Sequence, residues 1–331
     1  MAAPIPYFTF NNGIKVPSVG MGCWMGTPGG GETVELIHVD SRLCGGQCGY
    51  RHLDTAFGYG NEEHVGKAIR ESGIPREEIF VTTKLPNQHH HKVAESFQQS
   101  LNALGLDYVD LYLIHWPQAD TESGSYRATN CIRLRLIRSP SPTLVETWKQ
   151  MEKLLDTARP PGKVKSIGVS NFSIRTLNEI LPHCNVVPVT NQVELHPCLP
   201  SFELQQFCEE KGILLTAYSP LGQPPVLFTD PDIVSVGQKH SASPSQILIS
   251  WGVKRGIIVI PKSENVERMK ANITLVDLAE DDMAALNAVH RKPGLHRSLL
   301  SYHNYTDDGF IFGWTYDQLG WNMKKGGIVV D

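Results

Sequence analysis

No run in this 331-residue sequence approaches the roughly 18 consecutive apolar residues of a membrane-spanning helix, so no such span is expected. The start, MAAPIPYFTFNNG, has no basic region leading into an apolar core, and no secretory leader is expected there. An excess of one charge is missing too: 30 basic against 34 acidic residues leave a formal net charge of −4. That balance gives no electrostatic reason to expect nucleic acid or an anionic membrane as partner. A disulfide framework is also absent. The seven cysteines are odd in number and irregularly spaced, which suits a reducing compartment, and a soluble cytoplasmic protein is expected. No tract rich in Ser, Gly or Pro divides the chain, so residues 1–331 read as one domain.

What is present is a rhythm. After a hairpin expected in YFTFNNGIKVPSVG, with Asn12-Gly13 as its turn, eight short apolar runs recur. They are SVGMG (18–22), YRHLD (50–54), IFVTTKL (79–85), VDLYLIHW (109–116), VKSIGVS (164–170), VPVTNQV (187–193), ILLTAYS (213–219) and IIVIP (257–261). Stretches of 3.6-residue periodicity lie between them, among them NEEHVGKAIRESG, KVAESFQQSLNALG, TLVETWKQMEKLLDT and PSFELQQFCEEKG. Eight strand–helix alternations predict an α/β fold, a (β/α)₈ barrel of the TIM type; an open doubly wound sheet is the alternative.

In a barrel, the C-terminal ends of the strands form the catalytic mouth. Three successive runs end in an ionisable residue, Asp54, Lys84 and His115, at steps of 30 and 31 residues. One charge at a strand end is ordinarily a solvated edge. An acid, a base and an imidazole at the same height in adjacent strands point instead to a site. Tyr59 stands between Gly58 and Gly60 in the loop behind Asp54. A phenol holds its proton at neutral pH and gives it up slowly. A nearby ammonium stabilises the phenolate and is expected to lower the phenol's pKa, an aspartate keeps the ammonium charged and aimed, and a histidine can orient a carbonyl oxygen. Protonating a developing alkoxide requires such a set.

Other signals weigh less. GMGCWMG (20–26), with Asp40 beyond it, comes near a dinucleotide fingerprint, but its third glycine is displaced and a tryptophan fills the turn. The run His89, His90, His91 cannot aim three neighbouring side chains at one ion and reads as a polar helix start. Cys44 and Cys48 lack a second pair, so no metal is expected.

In order along the chain stand GYRHLDTAFGYGNEEHVGKAI, FVTTKL, DLYLIHWP, GKVKSIGVSNF, NQVELHP, TAYSPLG and IPKS. This set resembles the aldo-keto reductases, and the tail GFIFGWTYDQLGW is similar to the fungal-type aldehyde and glycerol-type reductases. The resemblance implies NADPH-dependent reduction of an aldehyde or ketone, with a C-terminal loop over the barrel mouth. It makes Tyr59 the proton donor, Lys84 its partner, Asp54 the residue pairing with Lys84, and His115 the carbonyl-orienting group. Trp24 and Trp116 join Tyr59 and His115 around the substrate. Gly22, Cys23, Trp24 and Asp54 border the cofactor. Ser170, Asn171 and Gln192 hold its carboxamide, and Tyr218 stacks on the nicotinamide. Ser219 and Leu221 lie by the pyrophosphate, and Lys262, Ser263, Arg268 and Asn272 by the 2′-phosphate end. Ala271 departs from the pattern, standing where many members carry a glutamate that contacts the adenine. The implied partner is a small carbonyl compound, and the implied state a monomer.

Two other readings stay open: a Schiff-base, aldolase-like barrel using Lys84, and a non-catalytic or regulatory barrel of the same fold. Three segments, 37–47, 121–142 and 158–161, exceed the strand–helix rhythm and are expected to be surplus to the fold, as functional insertions or gene-model artefacts.

Overall fold

The structure is a computed structural model and describes residues 5–26, 49–119, 142–155, 163–222, 225–304 and 310–330. The expected surplus segments lie outside them except for Pro142, as do Asp40, Cys44 and Cys48.

Strands β1 (Tyr7–Thr9) and β2 (Lys15–Pro17) form the opening hairpin, with Phe8 opposite Val16. Its turn is longer than the two-residue Asn12-Gly13 turn expected. Phe10 N donates to Ile14 O and Gly13 N to Phe10 O, both at 2.9 Å, and Gly13 takes a φ of 83°. Asn11, Asn12 and Gly13 thus make a three-residue loop whose last position needs the left-handed conformation that glycine adopts freely.

The barrel strands are β3 (Met21–Gly22), β4 (His52–Asp54), β5 (Phe80–Leu85), β6 (Val109–Ile114), β7 (Val164–Ser170), β8 (Thr190–Glu194), β9 (Leu214–Tyr218) and β10 (Ile258–Ile260). They pair in chain order, and all pairings are parallel. Gly20 N donates to Val259 O (2.8 Å), Val259 N to Ser18 O (2.9 Å) and Gly22 N to Pro261 O (3.0 Å), so the last strand meets the first and the sheet closes. All eight strands fall on the expected runs. The sixth spans Thr190–Glu194, with Val189 N already donating to Ile167 O at 3.0 Å; Pro188 before it has no N–H to give a ladder. Helices cover the outer face, so β4, β5, β6 and β8 are buried at every position.

Local sequence sets the helix limits. Val93–Leu104 stops at Gly105, whose φ of 60° ends the helix in a left-handed cap. Thr143 and Glu146 form a capping box that starts Leu144–Glu152. Gly66, in Glu62–Glu71, lies so close to the neighbouring helix that a Cβ there would sit 1.8 Å from Leu104 O.

The hairpin closes one end of the barrel. Phe10 and Val16 pack against Phe80, Leu111, Leu113, Val189 and Ile258. At the other end Trp116 joins Ile311, Trp314, Tyr316 and Leu319 in a separate apolar cluster, and Gln118 Nε2 donates to Ile311 O at 3.1 Å. The C-terminal segment therefore lies beside the open mouth, as the resemblance implied.

Candidate active site

Asp54 is the last residue of β4, Lys84 the next-to-last of β5, and His115 follows β6 directly. Parallel register holds them level: Asp54 lies opposite Thr82, and Lys84 opposite Leu113. Tyr59 ends a single 3₁₀ turn, Phe57–Tyr59, and Gly60 turns the chain away with a φ of 66°. Gly60 alone of its two flanking glycines takes the left-handed conformation.

Lys84 is completely buried, and three oxygens receive its ammonium. Asp54 Oδ1 is 2.5 Å from Nζ, Thr55 O 2.8 Å and Tyr59 Oη 3.3 Å. Gln192 Nε2 donates to Asp54 Oδ2 at 2.7 Å across the barrel, so both carboxylate oxygens are engaged. Burial disfavours the Lys84 ammonium, but Asp54 and Tyr59 outweigh it and leave the pKa above the ordinary lysine value. The Tyr59 phenol behaves otherwise. Burial pushes its pKa up more than the Lys84 charge pulls it down, so the net shift is opposite to the lowering expected from the sequence. His115 is driven well below the usual histidine range, first by burial and then by Lys84, so its ring is neutral at physiological pH.

The rings around the phenol make a wall. Trp24 lies 5.1 Å from Tyr59, centroid to centroid, and His115 lies 5.6 Å away, edge to face. Trp24 is 39% exposed, among the most open of the large apolar side chains described. Trp116 packs on Tyr302, Phe312 and Trp321 of the C-terminal segment.

Beyond this wall the residues matched to the carboxamide converge. Asn171 Nδ2 donates to His115 O (2.9 Å), Ser170 Oγ to Gln192 O (2.8 Å), and Tyr218 Oη to Asn171 Oδ1 (2.8 Å). Asn171 and Ser219 hold positive φ, 64° and 48°, a strained backbone of the kind that collects at functional sites. Leu221 follows Ser219 in the turn closed by Gly222 N donating to Ser219 O.

Lys262, Ser263, Arg268 and Asn272 follow β10. Asn272 is buried, and its Oδ1 has no hydrogen-bond partner among the described residues. An orphaned acceptor of this kind costs free energy unless a ligand N–H meets it. The Arg268 guanidinium has no ion-pair partner among the described residues and lies exposed. An unmet acceptor beside a free cation suits an adenine amine and a phosphate, so the residues present fit NADP(H).

Two of the weaker signals, GMGCWMG and the histidine run, lie within the described residues. In GMGCWMG the N–H groups of Gly20 and Gly22 serve the barrel ladder and are not free for phosphate. His89 Nδ1 meets Ser96 Oγ at 2.9 Å while buried His90 packs by Thr147, and no metal-binding group occurs among the described residues. The sequence reading missed two contributors. One is Thr55, which acts through a backbone carbonyl and so leaves no signal in residue type. The other is Tyr302, whose Oη lies 3.1 Å from Tyr218 Oη.

Comparisons with known proteins point to one family. The family model described as "Aldo/keto reductase family" matches residues 44–291. The chain is 40% identical over 299 residues to a glycerol 2-dehydrogenase (NADP(+)) of Saccharomyces cerevisiae, covering 87% of this chain and 92% of that protein. It is also 40% identical over 296 residues to an aldehyde reductase of the same yeast, covering 87% and 91%. The solved structure of a Bombyx mori aldo-keto reductase in complex with NADP superposes with a TM-score of 0.74 at 35% identity, covering 86% of this chain and 93% of that one. The family model covers most of the chain and the relatives match it over nearly their whole length, so the chain belongs to the aldo/keto reductase family.

Proposed function

We propose that the chain is an NADPH-dependent reductase of aldehydes or ketones, folded as one domain over residues 1–331, with Tyr59 as proton donor. The observation that carries this reading is the buried ammonium of Lys84, 2.5 Å from Asp54 and 3.3 Å from the Tyr59 hydroxyl. Bound NADPH would supply a hydride to the carbonyl carbon. The protein's own task is the proton. Tyr59, a phenol whose pKa burial raises further, holds its proton at neutral pH and donates it to the alkoxide that forms on the substrate. The phenolate left behind faces the Lys84 ammonium, which stabilises it. The neutral His115 ring offers an N–H to the carbonyl oxygen without supplying a charge. Ser170, Asn171, Gln192 and Tyr218 would hold the nicotinamide end, with Gly22, Cys23, Ser219 and Leu221 beside it. Lys262, Ser263, Arg268 and Asn272 would hold the adenosine 2′-phosphate end.

A Schiff-base aldolase needs a free amine, and Lys84 is a buried ammonium tied to Asp54 and Thr55. The reductase reading also takes the protein as a monomer of the cytoplasm, and no helix of the described residues is long and apolar enough to cross a membrane. Aldehyde-dependent oxidation of NADPH, followed by nicotinamide absorbance, tests the proposal. Turnover faster with NADPH than with NADH is expected. Borohydride trapping of a substrate on Lys84, with no NADPH oxidation, would replace it with the aldolase.

A further inference from the structure

Between Lys262 and Arg268 the chain carries a charge of the wrong sign for a phosphate site. The Lys262 ammonium is paired with the Glu264 carboxylate, two residues on, and both side chains remain about a third exposed, at 38% and 32%. Lys270 is likewise engaged, with Glu267 at 3.1 Å. Ser263 Oγ turns back to Asn265, accepting from its N at 3.2 Å and donating to its O at 3.3 Å. Asn265 caps the helix Val266–Asn272 by accepting from Arg268 N at 3.0 Å. Of the cations Lys262, Arg268 and Lys270, only Arg268 has no carboxylate partner among the described residues.

We propose that Glu264 is a specificity-determining residue. It holds Lys262 in the free protein and opposes a 2′-phosphate there, so the chain discriminates NADPH from NADH less than Lys262 and Arg268 alone would allow. This rests on the reading that these residues receive the 2′-phosphate. An exposed ion pair is weak, and an arriving phosphate can take Lys262 from Glu264. The released carboxylate cannot leave, because it is fixed two residues along the chain. It would stay beside a bound phosphate, where like charges repel and salt screens the repulsion. A carboxylate in the same place can instead accept a hydrogen bond from an unphosphorylated 2′-hydroxyl, as acidic residues do for the ribose of NAD.

Titration calorimetry on the full chain with adenosine 2′,5′-bisphosphate and with 5′-AMP tests this without any turnover. Glu264→Gln keeps the size of the side chain and removes its charge. It should bind the 2′,5′-bisphosphate ~3–10-fold tighter at low salt, with a gain that shrinks as salt rises, and leave 5′-AMP within about twofold. Equal or weaker binding of the bisphosphate by Glu264→Gln overturns the proposal alone. Failure of both proteins to bind the bisphosphate better than 5′-AMP overturns the proposal and the NADPH reading together.

Discussion

At the scale of single residues the site is a problem in keeping one ammonium charged where water is excluded. Lys84 stays protonated because Asp54 and Tyr59 together outweigh the penalty of burial. Tyr59→Phe keeps the ring against Trp24 and His115 but removes the acid. The reduction rate should fall by ~10²-fold or more, the scale of general acid catalysis, while NADPH affinity stays near wild type. Lys84→Met should do similar damage. A Tyr59→Phe protein with rate-limiting hydride transfer and more than about a tenth of wild-type turnover would mean that the proton comes from elsewhere. Asp54→Asn tests the charge balance itself. Asparagine still fills the space and still meets Gln192, but it no longer offsets burial, so the Lys84 pKa should drop. The ammonium is then lost at a lower pH, and the alkaline limit of kcat should move toward neutrality. An unmoved limit in the kcat–pH profile would show that Asp54 is not what keeps Lys84 charged.

At the scale of elements, what matters is how the C-terminal segment is tied to the barrel. Glu194 ends β8 and accepts from Ser298 Oγ (2.5 Å), Leu299 N (2.9 Å) and His196 Nε2 (2.9 Å). Burial works against its carboxylate, but these bonds outweigh it and hold the pKa below the ordinary glutamate value. From that anchor the chain reaches Tyr302. Tyr218 spends its one hydroxyl proton on Asn171 Oδ1, so Tyr302 must be the donor in the Tyr302–Tyr218 pair. The chain of bonds then runs from Tyr302 through Tyr218 and Asn171 to the backbone of His115. Tyr302→Phe retains the contacts with Trp116 and His303 and deletes only this link. It should weaken NADPH binding ~2–10-fold, the worth of one hydrogen bond, with little change in melting temperature. A lowered melting temperature with unchanged affinity would make Tyr302 purely structural. The barrel was legible in the sequence because it is local: the first four strand ends lie about 30 residues apart, and Asp54, Lys84 and His115 fall on that beat. The tail was not. Glu194 and Ser298 are 104 residues apart, Tyr218 and Tyr302 are 84 apart, and nothing in LLSYHNY alternates or repeats. The direction of the Tyr59 shift was hidden for a related reason. The charge of Lys84 can be read from residue type, but the depth at which the phenol is held depends on the whole fold.

At the scale of the molecule, burial of neutral histidines makes stability depend on pH. His52 lies within the barrel wall, its Nε2 3.2 Å from Thr82 Oγ1 and its ring against Phe80; a Cβ on Gly20 would come within 2.7 Å of Nδ1. Burial lowers its pKa from 6.5 to about 4, despite the opposing pull of Asp54. Burial likewise lowers His303 to about 4 and His90 to about 3, the latter with help from His91. Because these values fall on folding, the unfolded chain takes up protons first as pH drops below 6.5. The stability these rings permit is therefore complete above 6.5 and declines as pH falls toward about 4, where His52 protonates in the folded state as well. Each such ring contributes a slope of up to ~1.4 kcal/mol per pH unit in that window. His52→Gln keeps a partner for Thr82 but has nothing to titrate. It should be less stable than wild type near neutrality, through poorer packing against Phe80 and Gly20, yet lose less with acid. The difference in unfolding free energy between the two proteins should thus narrow as pH falls from 6.5 toward about 4. Urea unfolding at several pH values reads this directly. Parallel lines for the two proteins would mean that His52 takes its proton without unfolding, and that the barrel wall is more open to water than its packing indicates.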